Sequence, residues 1–596
     1  MKNLTGKKIE FSQLAVAFIC IIFLLQILKF GLPHDVFTWD TWGYYLYLPQ
    51  TFLHGDPAIS DFSNIQYVLD NYPPGDPNYL YQIHPLPNGN YVNQYWCGVS
   101  LLSLPFFYIG HFAAWLLSYP MDGYSYPYQF AFIAGNLTYM VIGILMFRKL
   151  LLQFFNPKIT GITLIIICLG TNYFNIHITG LGMTHIYLFV LYTCTIYCIV
   201  RFYRTFKNKY LYLASIFLAL IILVRAVDGL LVLIPFTWGL RNFKDLKRRI
   251  TQLWALRTPL LIAFIIGTSI LSIQFIYFKA ISGSFFINSY ANPEESLYLD
   301  EPHLFEFLFS FRKGWFIYTP IMIFYVLGMI TLFKKARGLF FPIIVFSIAF
   351  IYVSSSWSTW WYGYSFSQRT MIQTYPLLAI PIGAFFSKYL NKRSSTFGLT
   401  TILVFLIGLN AFQTYQFKEG VLHGSRMSFG AYCAIFGRLT KPENLDDLLL
   451  VNRDGAVFEK ENYQALTDFK TMFCMPDVLD EENIYSHSLM VPFNATSNQY
   501  YAWYEIQFEF KIEEGSNAEL PLFVGRFSQG SRQYGTRQYQ LSASSNFKIG
   551  EWCQATFQYI TPTIRRNSDN FECFIWGRGE NVMVKNMVMT SYVEKS

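Results

Sequence analysis

Eleven apolar segments, the longest of twenty residues, punctuate the first 415 residues of this chain. About 20 such residues carry a helix across a bilayer. The segments fall at 11–30, 129–147, 159–174, 184–200, 211–223, 229–240, 260–278, 316–333, 339–353, 371–386 and 399–412. No ordinary soluble core takes up so much apolar chain. Composition agrees: 53% of residues are hydrophobic and 14% charged, where soluble domains are about one quarter charged. The aromatic share of 19% suits a membrane interface, because Tyr and Trp favour sites with one end apolar and the other wet. A formal charge of +8 could point to nucleic acid. The Lys and Arg residues are instead spread through short loops between apolar runs, where they set orientation, so no nucleic-acid partner is expected.

The basic residues form five clusters: Arg148, Lys149 and Lys158; Arg201, Arg204, Lys207 and Lys209; Arg241, Lys244, Lys247, Arg248 and Arg249; Lys334, Lys335 and Arg337; and Lys388, Lys392 and Arg393. Eleven crossings put every cluster on the cytoplasmic side. The first segment follows Lys2, Lys7 and Lys8 and has no small-residue cleavage site, so it reads as a retained span. The expectation is a multi-pass cell (inner) membrane protein with a cytoplasmic N-terminus and an extracytoplasmic C-terminal domain, periplasmic in a Gram-negative cell. A long first external loop covers 31–127, and 31–128 contains no Lys or Arg. The apolar stretch 101–117 inside it would break the alternation if it crossed. It is expected to be re-entrant or interfacial.

Residues 416–498 are mixed in character, rich in Asp and Glu up to Glu482, and read as an irregular connecting segment. From 499 to 596 the apolar period becomes two, as in 501–511 and 551–559, which predicts a β-sandwich. The fold class is thus an α-helical polytopic membrane domain, 1–415, followed by an extracytoplasmic β-sandwich. Cys553 and Cys573 are either a disulfide or two buried thiols. Trp503, Tyr534, Tyr539, Trp552 and Trp576 are either sandwich core or a glycan-binding surface.

Chemistry concentrates in the first external loop. Trp42, Tyr45, Leu46, Pro49, Phe52 and Leu53 recur at three- and four-residue spacing, which predicts an amphipathic helix on the membrane surface, bent at Pro49. Asp40 opens it, and by spacing alone reads as an N-cap. The pattern Asp40, Gly43, Tyr44, Tyr45, Tyr47, Leu48, Pro49 behind a first span resembles the C-type (GT-C) membrane glycosyltransferases, which include protein O-mannosyltransferases and aminoarabinose transferases. The stretch 90–98 running into 104–107 is a second match, with Gln94 where relatives carry Lys. Residues 311–320 and 357–369 are two more, with Tyr364 and Ser367 in place of expected glycines.

The resemblance implies inverting transfer of a sugar from a polyprenyl-phosphate donor to an extracytoplasmic lipid, glycan or protein acceptor. Asp40 would then be the general base, and Arg369, Arg312, Lys313 and Arg225 the candidates for the donor phosphate. Arg225 has an ion pair with Asp228 as its plain reading, and Arg312 and Arg369 have snorkelling to the interface. Tyr44, Tyr45, His84 and Trp361 are candidate substrate contacts, with headgroup anchoring as the alternative for Trp361. The resemblance also admits a second acid, among Asp56, Asp61, Asp70, Asp76 and Asp122, or a divalent metal ion. His84 and His185 match no metal-binding spacing and read as structural. No phosphate-cradling glycine loop, zinc-spaced cysteine pair or HExxH is present. A transporter or flippase of lipid-linked glycans, and a non-catalytic envelope-assembly protein, are the competing readings.

Overall fold

The computed structural model describes residues 9–33, 35–73, 80–290, 296–390, 393–453, 455–470, 476–497, 501–530, 532–564 and 566–595. Lys2, Lys7, Lys8, Asp76 and Lys392 lie outside them. The chain divides into two units, the first within residues 1–449 and the second made of 450–596 together with a short segment that includes Ser296.

All eleven apolar segments of the first unit are helical. Seven belong to helices long and apolar enough to cross a bilayer: Phe11–Phe30, Tyr126–Leu151, Thr184–Thr205, Arg257–Ser282, Arg337–Ser355, Arg369–Tyr389 and Thr396–Lys418. Pro157–Gly170 and Asn172–Thr179 form a pair bent by 55°. Asn208–Val224 and Ala226–Thr237 are shorter, and the segment at 316–333 is interrupted by Thr319 and Pro320 before helix Ile323–Lys335 begins. The eighth long apolar helix is Gly98–Leu116. Its first residue lies against the backbone of Leu223 and Val224, and His111, in its second half, bonds the Tyr128 hydroxyl.

The outward surface is what a bilayer demands. Leu28, Phe264 and Phe397 are 72%, 67% and 79% exposed, as are many other large apolar side chains on these helices. In water so much uncovered apolar surface would drive aggregation, whereas lipid solvates it. Polar groups are turned inward instead, as with Asn136, Asn172, Gln373 and Asn410.

The basic clusters gather at one end of this unit. Arg148 pairs with Glu10 at 2.5 Å, Arg204 reaches the Gln153 carbonyl at 2.5 Å, and Arg249 donates to the Tyr203 hydroxyl at 2.8 Å. The Gly239 amide bonds to the Gly338 carbonyl, and Lys334, Lys335 and Lys388 line one shared cavity. Gly98–Leu116 is as long and apolar as the other candidate spans and packs along helix Tyr126–Leu151, with Gly110 against Tyr128 and the Tyr139 hydroxyl donating to the Leu102 carbonyl at 2.8 Å. A small hairpin, β1 (Ile83–Pro85) and β2 (Tyr91–Asn93), belongs to the end remote from the basic clusters.

Strands of the second unit form two antiparallel sheets. The five-stranded sheet has the order β3 (Tyr463–Lys470), β11 (Val582–Glu594), β6 (Trp503–Ile512), β9 (Cys553–Ile560), with β4 (Asp477–Leu479) beside β11. The four-stranded sheet has the order β5 (Leu489–Pro492), β10 (Asn570–Trp576), β7 (Leu522–Gln529), β8 (Arg532–Gln540). Aromatic rings fill the space between them: Phe523 stacks on Phe557 at 5.0 Å and Phe508 on Phe523 at 5.7 Å.

One expectation needs correction. Residues 416–498 are not an irregular connector. They supply helix Phe429–Ile435 to the first unit and β3, β4 and β5 to the sandwich, which therefore starts near 450 rather than 499. Of the two readings of Cys553 and Cys573, the structure shows the two buried thiols. Trp503 and Tyr534 are core, while Trp552 is 41% exposed.

Helices Ile323–Lys335 and Tyr375–Tyr389 meet at Gly328, where an added Cβ would stand 2.1 Å from the Pro381 carbonyl oxygen. Gly328→Ala should therefore cost about 1–3 kcal/mol by overpacking. Thermal unfolding in detergent checks this; an unchanged midpoint would mean that the helices do not pack so closely.

Candidate active site

Helix Trp39–Tyr45 opens at the end of the first unit remote from the basic clusters. Asp40 is its second residue, and Thr38, not Asp40, occupies the N-cap position. The Asp40 carboxylate points away from its own helix. Its Oδ1 accepts hydrogen bonds from the Tyr81 hydroxyl at 2.8 Å and the Tyr95 hydroxyl at 2.9 Å, and its Oδ2 from Arg369 Nη2 at 3.1 Å. Both partners of this ion pair are about one fifth exposed, so the pair faces an opening.

The local sequence explains the arrangement. Residues three apart share a helix face, so Gly43 lies beneath Asp40. A Cβ at Gly43 would stand 2.6 Å from the Tyr95 ring; only a glycine lets Tyr95 lie across the helix and reach the carboxylate. The hairpin holds Tyr81 and Tyr95 in place, since Asn93 donates to the Gly43 carbonyl at 2.6 Å and Gln82 to the Trp39 carbonyl at 3.1 Å. Trp39 itself has φ of +50°. A bulky side chain in the left-handed region costs of the order of 1–3 kcal/mol and is held there by its surroundings.

A second carboxylate lies behind the first. Asp228, fully buried, accepts from the Tyr192 hydroxyl at 2.5 Å and from Gln373 at 3.0 Å, and Arg225 approaches it at 3.8 Å. Gln373 in turn bonds His185 at 2.9 Å, and the Arg225 guanidinium lies over the Tyr362 ring at 5.2 Å. Tyr44 sits between the two pairs. Burial and Asp40 push its hydroxyl pKa up, Arg369 and Arg225 pull the other way, and it stays a neutral phenol. Tyr290 and Trp357, with ring centroids 5.6 Å apart, continue the aromatic wall past Tyr95.

The structure thus brings together Asp40, Arg369, Arg225 and Tyr44. The remaining candidates are engaged in other contacts. Tyr45 points into the core, stacked on Phe37 at 3.8 Å with its hydroxyl on the Gly123 carbonyl. Lys313 is buried against Ser365, and burial together with Arg369 and Arg312 drives its pKa well down, toward the neutral amine. Arg312 stacks on Trp361 at 3.4 Å and donates to the Ser425 carbonyl at 2.8 Å. His84 bonds Gln94 at 3.2 Å. Among the described residues no group of three His, Cys, Asp or Glu side chains could hold a metal ion, and no step below passes through one.

The outer-loop acids Asp56, Asp61, Asp70 and Asp122 are occupied in local turns and tyrosine contacts. Sequence reasoning passed over Tyr81, Tyr95, Tyr290 and the depth of Asp228. Tyr95 lay within the motif at 90–98, whereas nothing in the sequence marks Tyr81. Of the two replaced glycines, Ser367 does adopt a left-handed backbone, φ +53°, next to Arg369.

No family model and no curated protein matches this chain. Among solved structures it is similar to the archaeal oligosaccharyltransferase AglB from Archaeoglobus fulgidus, in complex with an inhibitory peptide and a dolichol-phosphate. The identity is 13% and the TM-score 0.38, over 71% of this chain and 58% of that one.

If Asp40 and Arg369 stabilise one another, Arg369→Met should cost about 1–3 kcal/mol through the carboxylate it leaves unpaired. The double variant with Asp40→Asn should cost less than the sum of the two single changes. Thermal unfolding of all four proteins measures this coupling, and strict additivity would show that the pair contributes none.

Proposed function

We propose that this protein is a membrane glycosyltransferase that moves a sugar from a polyprenyl-phosphate donor to an acceptor outside the cytoplasm. The observation that carries the reading is the convergence of one partly exposed carboxylate, Asp40, with two guanidiniums, Arg369 and Arg225, beside a neutral phenol. They meet at the end of the helical unit remote from the basic clusters. By the distribution of basic residues that end faces away from the cytoplasm.

The chemistry follows from the charges. When the acceptor oxygen attacks the anomeric carbon, the C–O bond to phosphate breaks and the electron pair leaves with the lipid phosphate. Asp40 takes the acceptor's proton, and the configuration at carbon inverts in this single displacement. Phosphate is a weakly basic leaving group, so it needs positive charge more than a proton, and Arg supplies this through two parallel N–H groups. In the resting arrangement Arg369 is engaged by Asp40. A donor phosphate would draw Arg369 toward itself and free Oδ2 to accept the proton. Asp228 anchors Arg225 from behind, with Tyr192 and Gln373 satisfying its Oδ1. Membrane embedding keeps the donor's lipid tail in the bilayer while its phosphate stays at the surface.

Membranes carrying wild type, Asp40→Asn or Arg369→Lys should be supplied with radiolabelled polyprenyl-phosphate sugars and native lipid or glycan acceptors. Asp40→Asn should lower label transfer by about 10²–10⁴-fold at equal expression. Arg369→Lys, which keeps the charge but loses the planar fork, should lower it less. Equal transfer by wild type and Asp40→Asn would remove Asp40 from the chemistry. No transfer by wild type across a broad donor panel would shift the reading to transport or scaffolding.

A further inference from the structure

The sandwich carries an open groove of about 560 Å³ on its four-stranded sheet. Its walls come from β7, β8 and β10 and from the 485–488 segment that leads into β5. We propose that this groove binds a neutral saccharide, with Tyr485 as the stacking platform and Gln538, Thr536 and the Arg526–Glu572 pair as its polar partners.

Tyr485 is 54% exposed yet held on two sides. The Trp576 ring lies near-parallel to it, 6.0 Å away at 29°, and the Phe574 ring meets it edge-on at 5.6 Å. A β-bridge between Tyr485 and Trp576 fixes the backbone as well. Such an aromatic loses little entropy on binding, because its neighbours have already ordered it. Its free surface suits the C–H face of a sugar ring.

The polar side is equally ordered. Arg526 Nε donates to Glu572 Oε2 at 2.8 Å, its Nη1 donates to Gln533 Oε1 at 2.9 Å, and its guanidinium lies over Phe574 at 4.8 Å. The pair's charges cancel, which makes the groove a poor site for a phosphate or another anion and a good one for hydroxyl groups. The side chains of Gln538, Thr536 and Ser488 also line the groove, and among the described residues they make no hydrogen bond to the protein. Between them they offer donors and acceptors in both directions, as sugar hydroxyls require. The volume lies within the range of small-ligand sites. A peptide added as a further strand would need a sheet edge, and this groove lies on a face.

The full-length protein in detergent or nanodiscs should be tested by saturation-transfer NMR and calorimetry. The panel would hold neutral hexoses, N-acetylhexosamines and their short oligosaccharides. Wild type should bind at least one of them. Tyr485→Ala, a change at an exposed ring, should weaken that ligand about tenfold or more with the unfolding midpoint unchanged. Gln538→Ala should weaken it several-fold, and Asp40→Asn should leave it alone, which separates this site from the transfer site. The proposal fails if no saccharide in the panel binds, if binding survives Tyr485→Ala undiminished, or if Asp40→Asn abolishes it. It fails equally if Tyr485→Ala disrupts only self-association, which would assign the groove to a second copy of the chain.

Discussion

An ion pair between residues 329 positions apart, Asp40 and Arg369, decides how the helical unit must close. Charges this close to a bilayer are costly unless paired and hydrogen-bonded, so each element that carries one has to reach the other. Tyr81 and Tyr95 supply the remaining hydrogen bonds from the hairpin. Asp228 plays the same part for Arg225, drawing in Tyr192 and Gln373. Gly98 lets its helix pack directly on the backbone of Leu223 and Val224, just before Arg225, where a Cβ would stand 2.3 Å from the Val224 nitrogen. The close helix packing thus lies directly beside the segment that carries Arg225 and Asp228.

What could be read in advance was whatever depends on short stretches of chain. The apolar segments and basic clusters are local signals, and the structure collects the clusters at one end. Asp40 could be singled out through the resemblance carried by its motif, and Arg369 and Arg225 as cations at the outer ends of apolar segments. Their partners could not, because the contacts from Asp40 to Tyr81 and Tyr95 span 41 and 55 residues. Tyr44 and Tyr45 show the limit at finer scale. Adjacent helical residues point about 100° apart, so one faces the site and the other the core, and the sequence does not give the phase of a short helix that breaks near Leu46.

The misplaced start of the sandwich has a similar cause. β3 and β5 are edge strands, and β4 is three residues long. An edge strand has a neighbour on one side only and keeps polar residues there against unwanted pairing, so its apolar alternation is blurred. The central strands β6, β10 and β11 have neighbours on both sides, and the edge strand β9 alternates buried and exposed residues from Cys553 to Tyr559, so in these the period of two was legible. The two sheets are joined by aromatic packing without a disulfide, which is why the cysteine pattern gave no framework.

Gly43 and Tyr95 leave a mark on how this protein can change over generations. The ring lies so close to the missing side chain that neither residue can be exchanged freely while the other stays. A larger residue at 43 demands a smaller one at 95, and a smaller one at 95 strips a hydrogen bond from Asp40. A lineage that departs from this pair must alter both positions and find Asp40 another donor. The route between the two arrangements passes through variants worse than either end, so the pair behaves as a single inherited character.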